Sequence, residues 1–354
     1  MDPQLWQALS GGDRHQSLTA VKRLRAAGLT ADEIIQGHIL PAQREVGHLW
    51  LTGAMSVTQE HATTAVSEGL VRWLGSFSDP PEQDRPLVVV ACMEQEWHSL
   101  PALVVAEHLV AADHRVSYLG PSPDPGDMLR QVLRLKPRAV LFSASLTSAL
   151  ARQKRMLNQM HSLGLPIIVG GQGFGDDPRR ALALGATAWA KDPAGAVRLL
   201  RELPLRGDRS PVDDPTPSDD DAYWIEEHRA ELVAHVVTGM HRVAVFPDAL
   251  WERSRDWHAE LTGLTDHLVG CLSASLVTGD ETILLEAHAW LARVLLARGV
   301  DGTLLVEAWS LLADTLRGHA LARGAVAAAA GYADEAISAA SESDGGTPGA
   351  LWTL

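Results

Sequence analysis

Glu96 and His98 stand two residues apart in the loop Glu94-Gln95-Glu96-Trp97-His98. The apolar run Pro86-Leu87-Val88-Val89-Val90-Ala91-Cys92 precedes it, and the helix-like Ala102-Leu103-Val104-Val105-Ala106-Glu107-His108 follows. An acid two residues before a histidine, in a loop leaving a β-branched strand, lies where an open α/β domain offers ligand groups at the carboxyl end of its sheet. A Glu-x-His pair by itself reads as a solvated polar pair; order and spacing change that reading. Ser143-Ala144-Ser145-Leu146 comes after the strand Arg138-Ala139-Val140-Leu141-Phe142, Gly170-Gly171 after Pro166-Ile167-Ile168-Val169, and Leu184-Gly185-Ala186 further on. Four signals, each expected after its own strand, predict one parallel-sheet domain over residues 86–203.

Together these residues resemble the cobalamin-binding domain, whose pattern is DxHxxG, then SxL, then GG. The resemblance implies that His98 is the lower axial ligand of cobalt and that Glu96 hydrogen-bonds its other ring nitrogen and sets the tautomer. Glu96 replaces the usual Asp, which lengthens the arm but keeps the carboxylate. Pro101 replaces the usual Gly, at a point where a helix begins and proline is well tolerated. Ser143 takes the Ser position, and Ser145 stands where the pattern has Leu. Gly170 and Gly171 lack a Cβ and so admit close backbone approach to a nucleotide tail. Tyr118 and Gly120, after the next apolar segment, complete the expected cofactor contacts.

Stepping outward, the first 77 residues read as four helices in a small bundle. Gly11-Gly12-Asp13 breaks the first, Gly28 suits a C-cap, and Thr30 caps a third helix with Asp32 and Glu33 in its first turn. Pro41 divides that helix or opens the next, and a last helix runs from about Ser56 to Leu74. Val46-Gly47-His48-Leu49-Trp50 and Val57-Thr58-Gln59-Glu60-His61 within it are similar to the helical cap of light-sensing, adenosylcobalamin-dependent repressors. That likeness implies that Trp50 packs on the adenosyl group while Val57, Glu60 and His61 face the upper ligand. In part of that family a His follows the Trp and takes the cobalt after photolysis. Leu51 holds that position here, which puts such a product in doubt, with His48 or His61 as substitutes. Taken alone, Trp50 reads as a core aromatic and Glu60-His61 as a surface pair.

Ser76 to Arg85 is a polar, proline-bearing linker, and the acidic, proline-rich stretch through Asp221 is expected to be extended. The resulting domains are 1–77 (helical cap), 78–205 (cobalamin-binding α/β), 206–221 (linker), 222–340 (all-α, of globin-like size) and 341–354 (tail). In the third, helices are expected over Ala222–Val245, Pro247–Leu261, Gly263–Thr278, Glu281–Arg298 and Gly302–Ala340, the last broken near Gly318 or Gly324, with Asp280 and Asp301 as N-caps. Read from residues alone, this module is either a dimerisation bundle or a pocket for a planar pigment, which needs apolar walls and Arg or His for propionates. The domain order resembles the photocobilins, which pair cobalamin with biliverdin. His235, His241 and Arg242 are then candidates for pyrrole and propionate contacts. Cys271 is either a vinyl anchor or a small core residue.

Composition bounds the function. The 354 residues are 46% hydrophobic and 21% charged, with a net charge of -14. That balance disfavours direct nucleic-acid binding, since the densest basic group (Arg14, Lys22, Arg23, Arg25) lies on one amphipathic helix. Cys92 and Cys271 are the sole cysteines and imply no disulfide framework. No apolar run of about 20 residues and no signal-like start is present, so a cytoplasmic protein without membrane contact is expected. The cap starts close to Met1, so no DNA-binding domain is expected ahead of it. Output then passes through oligomeric state, most simply a homo-oligomer, through the third domain, or through a separate effector protein. The expectation is a non-enzymatic photoreceptor for signal transduction. The alternatives are a corrinoid methyl carrier serving methyltransferases and a cobalamin store.

Overall fold

The computed structural model describes residues 1–203, 216–243, 257–300 and 303–331. The N-terminal bundle comprises α1 (Pro3–Ser10), α2 (Arg14–Ala26), α3 (Ala31–Ile34), α4 (Leu40–Leu51) and α5 (Val57–Gly75). A π-turn over Ile35–Ile39 carries α3 directly into α4, so Pro41 sits in the first turn of a helix that continues the previous one. Thr30 and Glu33 form the capping box that starts α3, and Ser56 and Gln59 form another at α5. Leu5, Leu9, Ile34, Ile39, Leu70 and Leu74 make the bundle core, which extends onto Leu100 and Leu103 of the next domain.

That domain alternates β1 (Leu87–Cys92), α6 (Ser99–Ala111), β2 (Arg115–Tyr118), α7 (Pro125–Leu135), β3 (Ala139–Ser143), α8 (Leu150–Ser162), β4 (Ile167–Gly170), α9 (Arg179–Ala183), β5 (Ala188–Ala190) and α10 (Pro193–Glu202). The five strands are parallel in the order β2-β1-β3-β4-β5, with Val89 opposite Val140 and Leu141 opposite Ile168. Both faces are covered, so the strands read as continuous apolar runs. Val88, Val90, Leu141 and Ile168 face one layer of helices; Val89, Ala91, Val140, Phe142 and Val169 face the other. The chain reverses direction between β1 and β3, and ligands of such sheets bind outside the carboxyl ends of the strands at that switch point. One expectation changes: Leu184-Gly185-Ala186 follows α9 and precedes β5 instead of following a strand. The tight turn there needs Gly185, at φ +85.

The third domain is helical: α11 (Pro217–Glu227), α12 (Arg229–Val243), α13 (Trp257–Thr278), α14 (Thr282–Ala297), α15 (Thr303–Thr315) and α16 (Ala320–Gly331). Three boundaries differ from expectation. Residues 217–221 are helical, not extended, because Thr216 and Asp219 form a capping box, Pro217 occupies the first turn, and the buried Asp219 pairs with Lys154 at 2.6 Å. A break at His228 divides the first expected helix, and α13 runs straight through Gly263. The break near Gly318 is present. Glu281, not Asp280, occupies the N-cap of α14, and Asp301 lies outside the described residues, as do 247–256 and the tail. Leu232, Leu268 and Leu291 of this domain share one core with Val89, Phe142 and Val169 of the sheet.

Candidate functional site

The loop after β1 is fixed before His98 is placed. The Met93 amide donates to the Ser143 carbonyl at 3.0 Å, and the Gln95 amide to Ser122 Oγ at 3.0 Å. Gln95 sits at φ +61, a left-handed conformation that turns the chain back. Glu96 is fully buried and accepts four hydrogen bonds. Oε1 takes the His98 amide at 2.8 Å and His98 Nδ1 at 2.6 Å; Oε2 takes the Ser145 amide at 2.6 Å and the Leu146 amide at 2.9 Å. Burial alone would raise the Glu96 pKa, but the His98 hydrogen bond and charge, with the amides of His98 and Leu146, outweigh it and hold the carboxyl below its ordinary range. Burial pulls His98 down, but Glu96 outweighs it and, with a contribution from Glu60, leaves His98 raised. With Nδ1 given to Glu96, Nε2 is the nitrogen a metal would take.

His98 begins α6, and Pro101 lies in that helix's first turn. The Ser99 hydroxyl donates to Glu68 of α5, which ties the bundle to the base of the site. Thr64 Oγ1 bonds Glu60 at 2.9 Å, and His61 Nε2 lies 3.4 Å from Glu60 Oε2 with most of its ring in solvent. Val57 is exposed in the first turn of α5, and His48 is exposed on α4. Trp50 is packed against the third domain: its ring stacks on Trp290 at 5.9 Å and 14°, and the Arg298 guanidinium lies 5.2 Å from its centroid. Arg298 also donates to the Leu51 carbonyl at 3.3 Å.

A cavity of about 560 Å³ opens at the carboxyl ends of β1, β3, β4 and β5, lined by Ser143, Ser145, Gly170 and Gly171. The glycines are required by the protein's own backbone. A Cβ on Gly170 would lie 2.6 Å from the Ala190 carbonyl oxygen, and one on Gly171, at φ +97, 2.4 Å from that of Ala144. The Tyr118 hydroxyl donates to the Ser99 carbonyl at 3.2 Å, and the Gly120 carbonyl accepts from the Cys92 amide at 3.0 Å.

The third domain closes the site from the side. Arg180 bridges Asp280 at 2.7 Å and Glu286 at 2.8 Å. Arg229 pairs with Asp266 at 2.7 Å and donates to the Ser148 carbonyl at 3.1 Å; a side chain at Gly270 would collide with its guanidinium. His267 Nδ1 is 2.9 Å from Ser148 Oγ, and burial, reinforced by Arg229, pushes its pKa down to about 4. His267, Cys271 and Trp290 line a small recess with Ser145 and Thr147. None of these third-domain residues was assigned to this site on sequence; partners 81 to 119 residues apart leave no local pattern. The bilin candidates have these surroundings. His235 and Arg242 are exposed on α12 and His241 pairs with His258, while Cys271 is buried, its thiol near His267 and pushed up to about 12.

Among the described residues no three His, Cys, Asp or Glu side chains converge to hold a metal, so a metal at His98 would bring further ligands with it. No described helix is long and apolar enough to cross a membrane. Residues 86–198 match the family model described as B12 binding domain, and residues 3–74 match a second B12 binding domain model. The HTH-type transcriptional repressor CarH of Myxococcus xanthus is 28% identical over 136 residues, 38% of this chain and 45% of that protein. The chain thus spans less than half the length of that relative. The monomethylamine corrinoid protein of Methanosarcina barkeri shares the fold, with TM-score 0.50 at 18% identity, over 56% of this chain and 96% of that one. An imidazole fixed by a buried carboxylate, a glycine-walled cavity beside it and two matched segments lead to one conclusion: this is a cobalamin-binding protein built on B12-binding domains.

Proposed function

We propose that the chain is a light sensor, not an enzyme, that holds adenosylcobalamin between the N-terminal bundle and the sheet domain. When bound, this cofactor supplies a cobalt–carbon bond that visible light breaks. His98 holds the metal from the sheet side, Glu96 keeps its proton on Nδ1, and Trp50, Glu60 and His61 cover the other side. The observation that carries the reading is the double engagement of Trp50. The residue expected against the upper ligand is also the one stacked on Trp290 beneath Arg298. Emptying the space beside Trp50 therefore biases its contact with the third domain, which is a route from cofactor state to packing. The likeness to CarH over 136 residues supports the same direction. Output through a homo-oligomer or a separate cytoplasmic effector protein completes the proposal. Biliverdin in a globin-like third domain is its finer part, supported by domain order.

The fold shared with a corrinoid protein favours a second reading, a methyl carrier. Chromatography and absorption spectra of the cofactor-loaded protein in dark and light separate the two. Rapid bleaching with a change in elution or in Trp fluorescence supports the sensor. Unchanged packing after photolysis, together with methylation by a partner enzyme, would replace it with the carrier. Co-expression with a bilin source tests the second chromophore: two separate band sets are required.

A further inference from the structure

The 560 Å³ cavity is built by all three domains. The sheet domain supplies its apolar walls, among them Val105, Leu141 and Trp189. The bundle contributes Arg44 from α4, and the third domain contributes Arg293 from α14. These are the same two helices that bring Trp50 onto Trp290. The volume suits a flat aromatic group of ligand size. The charges at its edge are unevenly committed. Glu286 is held by Arg180 at 2.8 Å, and Asp192 caps α10 by accepting the Gly195 amide at 2.6 Å. Asp176 is exposed, as are Arg44 and Lys191. Arg293 is half-buried, and among the described residues its one hydrogen bond runs from Nε to its own helix at the Ala289 carbonyl, 3.3 Å away. Among the described residues neither Arg44 nor Arg293 has a carboxylate partner. A partly desolvated guanidinium without a counter-ion, beside an apolar slot, is arranged for an anionic ligand.

We propose that Arg293 and Arg44 bind the phosphodiester that joins the corrin to its nucleotide tail, so that the third domain and the bundle select a complete cobalamin over a tailless corrinoid. This rests on the cobalamin reading of the same site. The apolar walls receive the tail's aromatic base, and the two guanidiniums close over its phosphate from the two flanking domains. Selection of this kind uses residues outside the sheet domain that carries the motif.

The test compares adenosylcobalamin with adenosylcobinamide, which keeps the cobalt for His98 but has no nucleotide tail. Titrations in the dark use the full-length chain and the variants Arg293→Gln and Arg44→Gln, whose stems keep the packing, with thermal melts as a check on folding. Each variant is expected to lose roughly 10-fold in affinity for adenosylcobalamin, as for one charge-assisted hydrogen bond. Affinity for adenosylcobinamide stays within about 2-fold, and the salt dependence of cobalamin binding becomes shallower. Equal losses for both corrinoids, or none for either, overturn the proposal. A wild-type chain that binds neither corrinoid removes the cobalamin reading itself, and a wild-type chain that binds both equally removes tail selection alone.

Discussion

Substitution of Glu96 separates the two tasks that its carboxylate performs. In Glu96→Ala, the amides of His98, Ser145 and Leu146 all lose their acceptor, together with His98 Nδ1. Leaving a buried donor unsatisfied costs about 1–3 kcal/mol. Three amides at the lower end of that range, with water entering part of the space, give a loss of about 3–6 kcal/mol, a large share of a typical domain's 5–15 kcal/mol. Glu96→Gln behaves differently. Its amide oxygen can still accept from Ser145 and Leu146, so the loop keeps its anchor to β3, but its NH2 group then faces the His98 amide and Nδ1. One orphaned amide costs about 1–3 kcal/mol, and Nδ1 must become an acceptor, which moves the ring proton to Nε2, the nitrogen a metal needs. Glu96→Gln is therefore expected to fold yet lose the protein nitrogen on cobalt, with corrinoid affinity falling about 10- to 100-fold. Urea unfolding measures the first quantity. Electron paramagnetic resonance of the cobalt(II) form, with 15N-histidine in the protein, measures the second. If Glu96→Ala unfolds within about 1 kcal/mol of wild type, or if Glu96→Gln keeps histidine on the metal, the reasoning about this carboxylate is wrong.

Other perturbations follow from the same geometry. In a double-mutant cycle of Trp50→Ala and Trp290→Ala, the stacked pair should show about 0.5–1.5 kcal/mol of coupling in chemical unfolding; additive losses would remove the proposed link between cap and third domain. Gly171→Ala places a Cβ 2.4 Å from the Ala144 carbonyl oxygen at φ +97, so a loss of about 2–4 kcal/mol is expected, and a wild-type melting temperature would refute the steric account. Arg180→Ala strands Asp280 and the part-buried Glu286 between two domains and should cost about 3–5 kcal/mol, read as a lower urea midpoint or a separate early transition. Acid should do the same more gently. Burial raises Asp280 and Asp219, but their hydrogen bonds to Thr282 and Arg180, and to Lys154 and Thr216, outweigh it and lower both. A lowered folded-state pKa gives stability that is full above the ordinary carboxylate value and is lost as pH falls through the folded value, here below about pH 4. Small-angle scattering should show domain separation there before the sheet unfolds; simultaneous loss would argue against these two pairs as the weak link.

The parallel sheet and the Glu96–His98 pair were legible because they rest on local patterns: apolar runs ending in polar loops, and two side chains two residues apart. The acceptor sites that hold Glu96 were not, because backbone amides 49 and 50 residues away carry no side-chain signature. Gly170 and Gly171 stand out in the sequence as positions for close approach of a nucleotide tail; the atoms that crowd them in the fold are the carbonyls of Ala190 and Ala144. Composition misled over residues 217–221, whose acids look solvating and instead form a capping box and an ion pair with Lys154. Trp50 was read as a roof over the ligand. Its stack on a tryptophan 240 positions later is tertiary information, as is Gly270, small so that the Arg229 guanidinium can pass.

The placement of the third domain also bears on which chemistry the site can support. A methyl carrier has to open its upper face to a partner enzyme at every cycle, so the elements over that face must separate cheaply. Here separation would break the Trp50–Trp290 stack, the Arg298 bond to the Leu51 carbonyl and the edge of a core shared by Leu268, Leu291 and Phe142. The buried Arg180–Asp280 pair would follow if the whole domain moved. Breaking a buried pair while leaving one charge unmatched is costly, which suits a change made once per stimulus better than one made at each turnover. The small-amplitude alternative is a rotation of α4 that frees Trp50 and leaves the Arg180 and Arg229 anchors intact. Hydrogen exchange distinguishes these motions: protection lost in α4 and the second half of α14 alone, with α13 unchanged, fits a sensor whose third domain stays docked, whereas exposure of α13 as well would mean that the whole domain lifts and that the carrier reading regains ground.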